Sequence, residues 1–436
     1  MSMYRKLLNN SQFRLLWLIQ IISGVASELF NIGVMVTVFE QTGSTLQTVG
    51  VMVARMLPAF LLSPFAGVAV DRYSRKWLLV VIDLARIGLV LLVFLAGSAN
   101  GTADGIGEGQ YSVWGVYAII AALALSDTVY RPARLAIVPS LVSRSQLVHA
   151  NSLILSTQQI TLAASYGGGG ALVLWLNLRR IVLIDVGLFL VAVLLGLLLV
   201  VPRRKDTDSE LLRPTFWREI VDGLCYLRRH KIARPLIIME TIEHWPHGIW
   251  TAAIMLAFTI QGLGGNTLDW GYQASGYFLG NVVGSALAVV GAAYLARKPG
   301  WVIIGNAFLA GLLTWLYAGS TSVLMATFVA FIFGPPFALR DVAQDALLQA
   351  TVDNNMLGRV YASREMMRSL SYMAAGLFFA WLTDQIPVRY VYVIGGILYI
   401  GTALYALQFK AIRQSRLDSP PEQTLTGPLA QDDLVR

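Results

Sequence analysis

Four ionisable side chains occur close together in a strongly apolar stretch of the chain. Glu240, Glu243, His244 and His247 lie within eight residues, in the sequence ETIEHWPH. An α-helix turns by about 100° per residue, so the four groups would share one face with an arc of about 100°. Carboxylates and imidazoles on one helical face can carry protons, ligate a metal ion or form ion pairs.

Three uses of this face fit its residue types. In the first, the i,i+4 pairs Glu240–His244 and Glu243–His247 relay protons, because histidine titrates near neutral pH. In the second, the four groups bind zinc or another first-row metal ion, with further ligands from other helices. In the third, they only pair with arginines of a later apolar segment, 359–383, and stabilise the contact between helices. The sequence alone leaves all three open.

The same stretch also carries a proline and several aromatic residues. Pro246 has no N–H to donate to the carbonyl of Ile242, which predicts a kink in the helix at this point. The nearby aromatic side chains could contact an apolar substrate or pack in the protein core. These side chains are Trp245, Trp250 and Phe258.

The composition of the chain is that of a membrane protein. Of its 436 residues, 56% are hydrophobic and 13% are charged, with a mean hydropathy of +0.62. A soluble domain carries about 25% charged residues. Apolar runs of about 20 residues, long enough to cross a bilayer, recur along the chain. They predict twelve spans, numbered here 1 to 12, at 13–39, 46–70, 77–97, 112–138, 151–176, 181–201, 233–260, 271–296, 300–319, 322–349, 359–383 and 387–409.

The distribution of basic residues predicts how the chain is oriented. Lys and Arg accumulate in cytoplasmic loops. With the N-terminus inside, the outer side receives only Arg179, Arg180 and Arg389, and all the other basic loops fall on the inner side. We therefore expect a multi-pass protein of the cell (plasma or inner) membrane with both termini in the cytoplasm. The net charge of +8 is explained by these loops, so the lipid bilayer is the expected partner and nucleic acid is not.

The longest polar stretch between spans divides the chain into two sets of six. It covers 202–232, between an N-terminal bundle at 1–201 and a C-terminal bundle at 233–409, and a cytoplasmic disordered tail is expected at 410–436. Within the linker, TFWREIVDGLCYLRRHK has an apolar and a basic face, which predicts an amphipathic helix on the inner membrane surface or a solvated connector.

A weak internal repeat supports this division. When the sequence is shifted by 210 residues, 133–147 aligns with 343–357. The match falls where span 4 should correspond to span 10. Parallel six-span repeats are one of the known transporter architectures.

A short charged motif joins spans 2 and 3. GVAVDRYSRK contains Gly67, which permits close helix packing, and Asp71, which lies near the start of the next helix. Three cations follow, Arg72, Arg75 and Lys76. The motif resembles the G-x-x-x-D-R-x-x-R-[KR] signature loop of the major facilitator superfamily. The resemblance implies an all-α membrane fold of 12 transmembrane helices in two pseudo-symmetric six-helix bundles, with this loop latching the cytoplasmic side.

Four further stretches are similar to the macrolide-efflux and enterobactin-exporter branch of that superfamily. They lie at 13–34, 130–153, 216–236 and 357–369. Span 5 departs from the branch, because SYGGGGALV at 165–173 replaces its Gly-Pro-x-x-G-G stretch. A run of four glycines predicts close helix packing or a hinge.

This resemblance implies a secondary active transporter that exports amphipathic, drug-like small molecules by alternating access, coupled to proton antiport. It implies a monomer without a cofactor and without enzymatic activity. One alternative is a siderophore or divalent metal ion exporter on the same fold, with Glu240, Glu243, His244 and His247 as metal ligands. Another is a membrane receptor or assembly protein that does not transport.

Other charges lie inside predicted spans, where ionisable groups are costly and usually functional. Glu28 of span 1 and Arg55 of span 2 are predicted to pair, and with the four groups of span 7 they form the predicted coupling or substrate site. Asp83 and Arg86 of span 3 are predicted to form a local i,i+3 pair.

Further charges cluster at the predicted cytoplasmic ends of spans 4, 10 and 11. We expect them to complete an inner gate together with the signature loop. They are Asp127, Arg131, Arg134, Asp341 and Arg364.

Overall fold

A computed structural model describes residues 7–97, 112–143, 146–201 and 216–416, and these residues are helical at all twelve predicted spans. Spans 1 to 6 are the helices Ser11–Thr42, Thr45–Arg72, Arg75–Gly97, Val113–Leu141, Leu147–Trp175 and Leu178–Leu198. Span 7 is divided into Ala233–His247, Gly248–Trp250, Ala252–Ala257 and Phe258–Gly262. Spans 8 to 12 are Thr267–Val290, Pro299–Ala318, Val323–Thr351, Asn354–Gln385 and Val388–Leu407, and Ala292–Arg297 is a short helix after span 8.

Seven of the described helices are long and apolar enough to cross a membrane by length and composition alone. They belong to spans 1, 2, 4, 6, 9, 10 and 12. Span 7 is absent from this group because each of its pieces is shorter than the 18 residues that such a helix needs.

The helix at the start of span 7 contains Pro246 and ends at His247. A break follows directly after it. A single 3-10 turn follows, and Thr251 is extended with φ −60° and ψ 146°. The Thr251 side chain then accepts a hydrogen bond from the N–H of Ile254 and caps the next short helix. A new, capped helix therefore begins directly after the break.

Each set of six spans packs mainly within itself. In the first half, span 1 packs against spans 5 and 6, and span 4 packs against spans 2 and 3. In the second half, span 10 packs against spans 8 and 9, and span 12 packs against spans 7 and 9. The two halves meet where span 5 packs against span 8 and span 2 packs against span 11.

The contact between spans 5 and 8 depends on glycine, as the run of four glycines predicts. A Cβ atom at Gly170 would lie 2.7 Å from the carbonyl oxygen of Thr267, and one at Gly271 would lie 2.8 Å from that of Tyr166. Beside them the hydroxyl of Ser275 donates to the carbonyl of Ala163 at 3.0 Å. The two backbones touch directly, which only residues without a side chain permit.

The contact between spans 2 and 11 depends on one carboxylate. Asp384, at the end of span 11, accepts from the Ser44 hydroxyl at 2.6 Å, the Thr45 N–H at 2.7 Å and the Leu46 N–H at 3.1 Å. These backbone groups are free donors at the first turn of span 2, where a negative charge is stabilised. A residue of the second half therefore caps a helix of the first half.

These contacts lie at one end of the molecule. We call it the far end, and we call the opposite end the linker end, where span 1 begins and span 6 finishes. At the linker end the N–H of Val200 donates to the Gln12 side chain at 2.7 Å, within the first half. Seven of the eight ion pairs that the structure shows between described residues join partners of the same half, and the eighth, Arg359–Asp222, joins the linker helix to the second half.

The predicted linker helix is present as Phe216–Arg229 and packs against the start of span 11. Arg359 of span 11 donates to Asp222 at 3.0 Å. The hydroxyl of Tyr226 donates to Asp353 at 3.1 Å, and partial burial raises the pKa of Tyr226, so this donor stays protonated. One face of the helix is thus occupied by protein rather than by lipid.

The chain after span 12 is folded for a few residues where the sequence predicts a disordered tail. Lys410–Arg413 forms a helical turn, and Ile412 is fully buried against the start of span 9. The rest of the predicted tail, 417–436, and the polar linker residues 202–215 lie outside the described residues.

The substitution Asp384→Asn tests the far-end contact. Loss of the charge removes about 1 kcal/mol of cap stabilisation, which changes a population about five-fold. We expect the population of separated far ends to rise by that factor. Double electron–electron resonance between labels at Gln47→Cys and Thr321→Cys, in a Cys225→Ser background, measures it.

Asp269→Asn is the matched control, because Asp269 caps the start of span 8 within its own half at the same end. This variant should leave the distances unchanged. A distance distribution in Asp384→Asn identical to that of the parent would show that the carboxylate does not hold the halves together.

Candidate functional site

A cavity of about 320 Å³ lies among spans 1, 2, 4 and 5 of the first half. Its wall is unusually rich in charge for the interior of a membrane protein. The polar side chains that line it include Gln20, Glu28, Arg55, Asp127, Arg131 and Arg134.

Glu28 and Arg55 form the ion pair that the sequence predicts. Arg55 donates from two nitrogens to the two carboxylate oxygens of Glu28, at 2.6 and 3.1 Å. The Glu28 side chain is 14% exposed and that of Arg55 is 30% exposed. The pair therefore joins spans 1 and 2 while it stays in contact with the cavity.

Arg86, itself 2% exposed, is the centre of a second network. It donates to Asp83 at 2.8 Å, which confirms the predicted i,i+3 pair, and to the Ser23 hydroxyl at 2.8 Å. It also pairs with Asp127 and lies 4.1 Å from the ring centroid of Tyr130. Two carboxylates and an aromatic face thus surround one guanidinium.

Two further arginines of span 4 line the same cavity. Arg134 is 8% exposed, and its Nε has no hydrogen-bond partner in the described part of the chain. Arg131 is exposed towards the cavity. No described carboxylate lies within ion-pair distance of either guanidinium.

In the second half, both carboxylates of the span 7 face are held by arginines. Arg364 of span 11 donates to the two oxygens of Glu240 at 2.6 and 2.9 Å, and to Asp345 at 2.5 Å. Arg340 of span 10 donates to Glu243 at 2.6 Å. The side chains of both glutamates are 2% exposed.

The histidines of this face make different contacts. His244 Nε2 lies 3.1 Å from Nε of Arg368, and its Nδ1 lies 2.7 Å from the carbonyl oxygen of Glu240. Arginine can only donate, so Nε2 accepts and Nδ1 carries the single proton of a neutral ring. His247 lies 3.1 Å from the Tyr399 hydroxyl and stacks on Phe337 with ring centroids 4.5 Å apart.

These contacts match one of the three interpretations of the face in this conformation. The predicted i,i+4 pairs Glu240–His244 and Glu243–His247 are wrong, because arginines occupy both carboxylates. In the described residues no group of three or more His, Cys, Asp or Glu side chains is placed to hold a metal ion, so the alternative metal site is not assembled. The geometry matches the third interpretation, with span 10 contributing an arginine in addition to span 11.

The signature loop is described only in part. Gly67, Asp71 and Arg72 lie outside the residues whose side chains the structure describes. Arg75 donates to the carbonyl of Ala136 in span 4, and Lys76 to that of Leu197 in span 6, both at 2.8 Å. The two cations therefore bind backbone carbonyls, and neither pairs with a carboxylate whose side chain the structure describes.

The other predicted gate residues do not form one cluster. Asp127 pairs with Arg86 in the first half, whereas Asp341 lies 3.3 Å from Arg340 and Arg364 pairs with Glu240 in the second half. The described members of the predicted gate are therefore not assembled in this conformation. The physical reason is that the halves are joined at the far end, which leaves the charges of the linker end with partners in their own half.

The three predicted substrate aromatics do not line any of the cavities described in this section. Trp250 is 7% exposed and stacks on Phe333 at 4.1 Å, and Phe258 is fully buried beside Tyr317, so both are core residues. Trp245 lies on the exposed surface against Phe378.

Two other cavities are lined by aromatic residues that the sequence did not single out. One of about 310 Å³ lies between the halves, beside Arg55, Arg131, Tyr166 and Tyr372. One of about 260 Å³ is lined by His244, His247, Phe337, Arg368 and Tyr372.

Sequence reasoning also missed two acidic residues. Asp384 caps span 2 from 340 positions away, and no local pattern signals such a contact. Asp185 of span 6 is fully buried, with neither oxygen bonded in the described part of the chain. A single carboxylate in the apolar run LRRIVLIDVGLFLV was the signal that could have found it.

Glu243→Gln tests the energetic role of the buried pairs. The variant removes the charge closest to buried Arg340 and leaves the longer contact to Asp341 as its ion pair, so we expect it to lose about 3 kcal/mol of stability. Asp222→Asn is the control, because both partners of the Arg359–Asp222 pair are about one-third exposed and the loss should be under about 1 kcal/mol. Thermal unfolding in one detergent measures both, and equal shifts would contradict the assignment.

Comparisons with known proteins agree with this architecture. The sequence model of the Major Facilitator Superfamily matches residues 16–375. The chain is 26% identical over 409 residues to the uncharacterized MFS-type transporter YjbB of Bacillus subtilis (strain 168), covering 92% of this chain and 96% of YjbB. It is 24% identical over 406 residues to macrolide efflux protein A of Streptococcus pyogenes, covering 92% and 97%. A crystal structure of the nucleoside transporter NupG matches with a TM-score of 0.67 at 12% identity, covering 92% of this chain and 100% of that chain. The predicted all-helical fold is confirmed, and the chain belongs to the major facilitator superfamily of multi-pass membrane transporters.

Proposed function

We propose that this transporter exports amphipathic small molecules by alternating access, in exchange for protons. Its linker end faces the cytoplasm, as the distribution of Lys and Arg predicts. The similarity to a macrolide efflux protein over nearly the whole chain supports export of drug-like compounds. The cavities between and within the halves supply the space for such a substrate.

The observation that carries the proton coupling is the position of Glu28. Of Glu28, Glu240 and Glu243, only Glu28 lines the cavity of about 320 Å³ in the first half. Its side chain is 14% exposed, compared with 2% for the other two. A proton can reach Glu28 through the cavity without disruption of the packed helices. We therefore assign the exchanged proton to Glu28.

The pairing with Arg55 gives that proton a structural consequence. Protonation of Glu28 removes the negative charge that holds Arg55, so the pair stabilises spans 1 and 2 differently in the two protonation states. Tyr166 lines the same cavity and packs edge-on against Trp270 of span 8, with ring centroids 5.6 Å apart. The proton site thus lies beside the contact between the halves, where it can bias their arrangement.

The span 7 face has a different task in this proposal. Glu240 and Glu243 fix spans 10 and 11 to span 7 through Arg364 and Arg340, so that the second half moves as one body. His244 and His247 line a separate cavity, where neutral rings can contact substrate. The linker at 202–232 connects the two halves that move in this proposal.

Proteoliposomes with an imposed pH gradient and a pH-sensitive dye inside test the proposal. The panel of compounds contains a macrolide, a neutral amphiphile and an acidic amphiphile. For at least one of them, we expect uphill movement with opposite proton flux in the parent protein. Glu28→Gln should lower the rate of pH-driven substrate movement at least ten-fold. It should keep the exchange of labelled for unlabelled compound, because substrate binding and reorientation of the halves do not need the proton.

Glu40→Gln serves as the matched control, since Glu40 is an exposed glutamate of the same helix at the far end. It should retain pH-driven movement. Full gradient-driven transport by Glu28→Gln would remove Glu28 as the proton carrier. Loss in Glu240→Gln or His247→Ala, with Glu28→Gln intact, would favour the relay along span 7 instead.

A further inference from the structure

Arg134 is an exception among the buried arginines of the described chain. Four arginines there are more than nine-tenths buried, namely Arg86, Arg134, Arg340 and Arg364. Three of them each have two carboxylate partners. Arg134 has no carboxylate partner, and its Nε has no hydrogen bond in the described residues.

An uncompensated guanidinium is costly in such a place. Removal of a charge from water without a partner costs several kcal/mol, and proteins normally pair or hydrate buried charges. Arg131, one helical turn earlier, points into the same cavity and adds a second positive charge. Span 4 therefore presents two unpaired cations to a volume of about 320 Å³.

The acids of this cavity do not compensate these cations. Glu28 is bonded through both oxygens to Arg55, and Asp127 is bonded to Arg86. The cavity thus keeps a positive surplus on the side formed by span 4. A small anion or an acidic group of a larger molecule fits that surplus.

A second, less polar space adjoins this charged site. The cavity of about 310 Å³ between the halves shares Arg55, Arg131 and Tyr166 with the first one. Its other walls include Met35, Met52 and Tyr372. Methionine and aromatic side chains adapt to apolar groups of varied shape. Arg131 lies at the junction between the charged and the apolar space.

We propose that Arg131 and Arg134 bind the acidic group of an amphipathic substrate, a carboxylate, sulfonate or phosphate, while its apolar part occupies the cavity between the halves. This inference rests on the proposed transport function and names its substrate class. Cationic amphiphiles of the same size are disfavoured, because the two guanidinium groups repel them.

A pair of fluorescent probes that differ only in charge tests the proposal. 8-Anilino-1-naphthalenesulfonate is acidic, and N-phenyl-1-naphthylamine has the same rings without the sulfonate. We measure binding of both to the full chain in nanodiscs of phosphatidylcholine by equilibrium dialysis, with empty nanodiscs as the blank. The parent protein should bind the sulfonate about ten-fold more tightly than the neutral probe, the factor expected for one charge-assisted interaction.

Arg134→Gln should abolish this preference, and Arg134→Lys should retain part of it. Arg131→Gln, at a less buried position, should also reduce it and does not depend on the folding of the Arg134 variant. Arg180→Gln is the matched control, because it removes the same charge from an exposed site at the far end. It should bind both probes as the parent does.

Equal binding of the two probes by the parent, or an unchanged preference in Arg134→Gln and Arg131→Gln, would overturn the proposal. An equal loss in Arg180→Gln would do the same, since it would indicate an effect of net charge. Loss of the preference in nanodiscs that contain phosphatidylglycerol would assign the site to lipid headgroups instead. These results are independent of the proton-flux assay, so anion binding can fail while coupled export of a neutral or cationic compound succeeds.

Discussion

The need to pair every buried charge constrains this structure more than any other interaction. In each half, guanidinium groups inside the bundle bind carboxylates from neighbouring helices, as Arg86 does with Asp83 and Asp127 and as Arg340 does with Glu243. A pair of this kind cannot be broken without a large cost in a low-dielectric interior. The pairs between described residues do not cross from one half to the other, so none of them would have to break in the proposed movement of each half as one body.

The contact between the halves has a different character from the packing inside them. Spans 5 and 8 touch through glycine backbone at Gly170 and Gly271, and spans 2 and 11 meet through Asp384 and the start of span 2. The second is a charge–dipole interaction that water can replace. Ion pairs inside the halves, and contacts between the halves without an ion pair among the described residues, fit the proposed alternating access.

The sequence predicts the helices well because hydropathy and helix length are local properties. Helices appear at all twelve places where the apolar runs predict spans, and pairs close in sequence or chemically obvious, such as Asp83 with Arg86 and Glu28 with Arg55, are correct. Partners over long separations could not be assigned, since the sequence left pairing with arginines of a later helix as one of three open interpretations. The arginines that bind Glu240 and Glu243 are 124 and 97 residues away, and the gate residues pair differently because their partners depend on which end of the molecule is closed.

The proposed alternating access requires that the two halves move as rigid bodies. When they separate at the far end, they should approach each other at the linker end. Double electron–electron resonance between labels at Ser74→Cys and Lys298→Cys, at the linker end of the two halves, tests it directly in a Cys225→Ser background. When Asp384→Asn weakens the far-end contact, the account predicts a shorter distance at the linker end. A second pair within one half, Lys298→Cys with Lys410→Cys, should keep its distance. A linker-end distance that lengthens or stays constant, or a change within the half, would contradict the account.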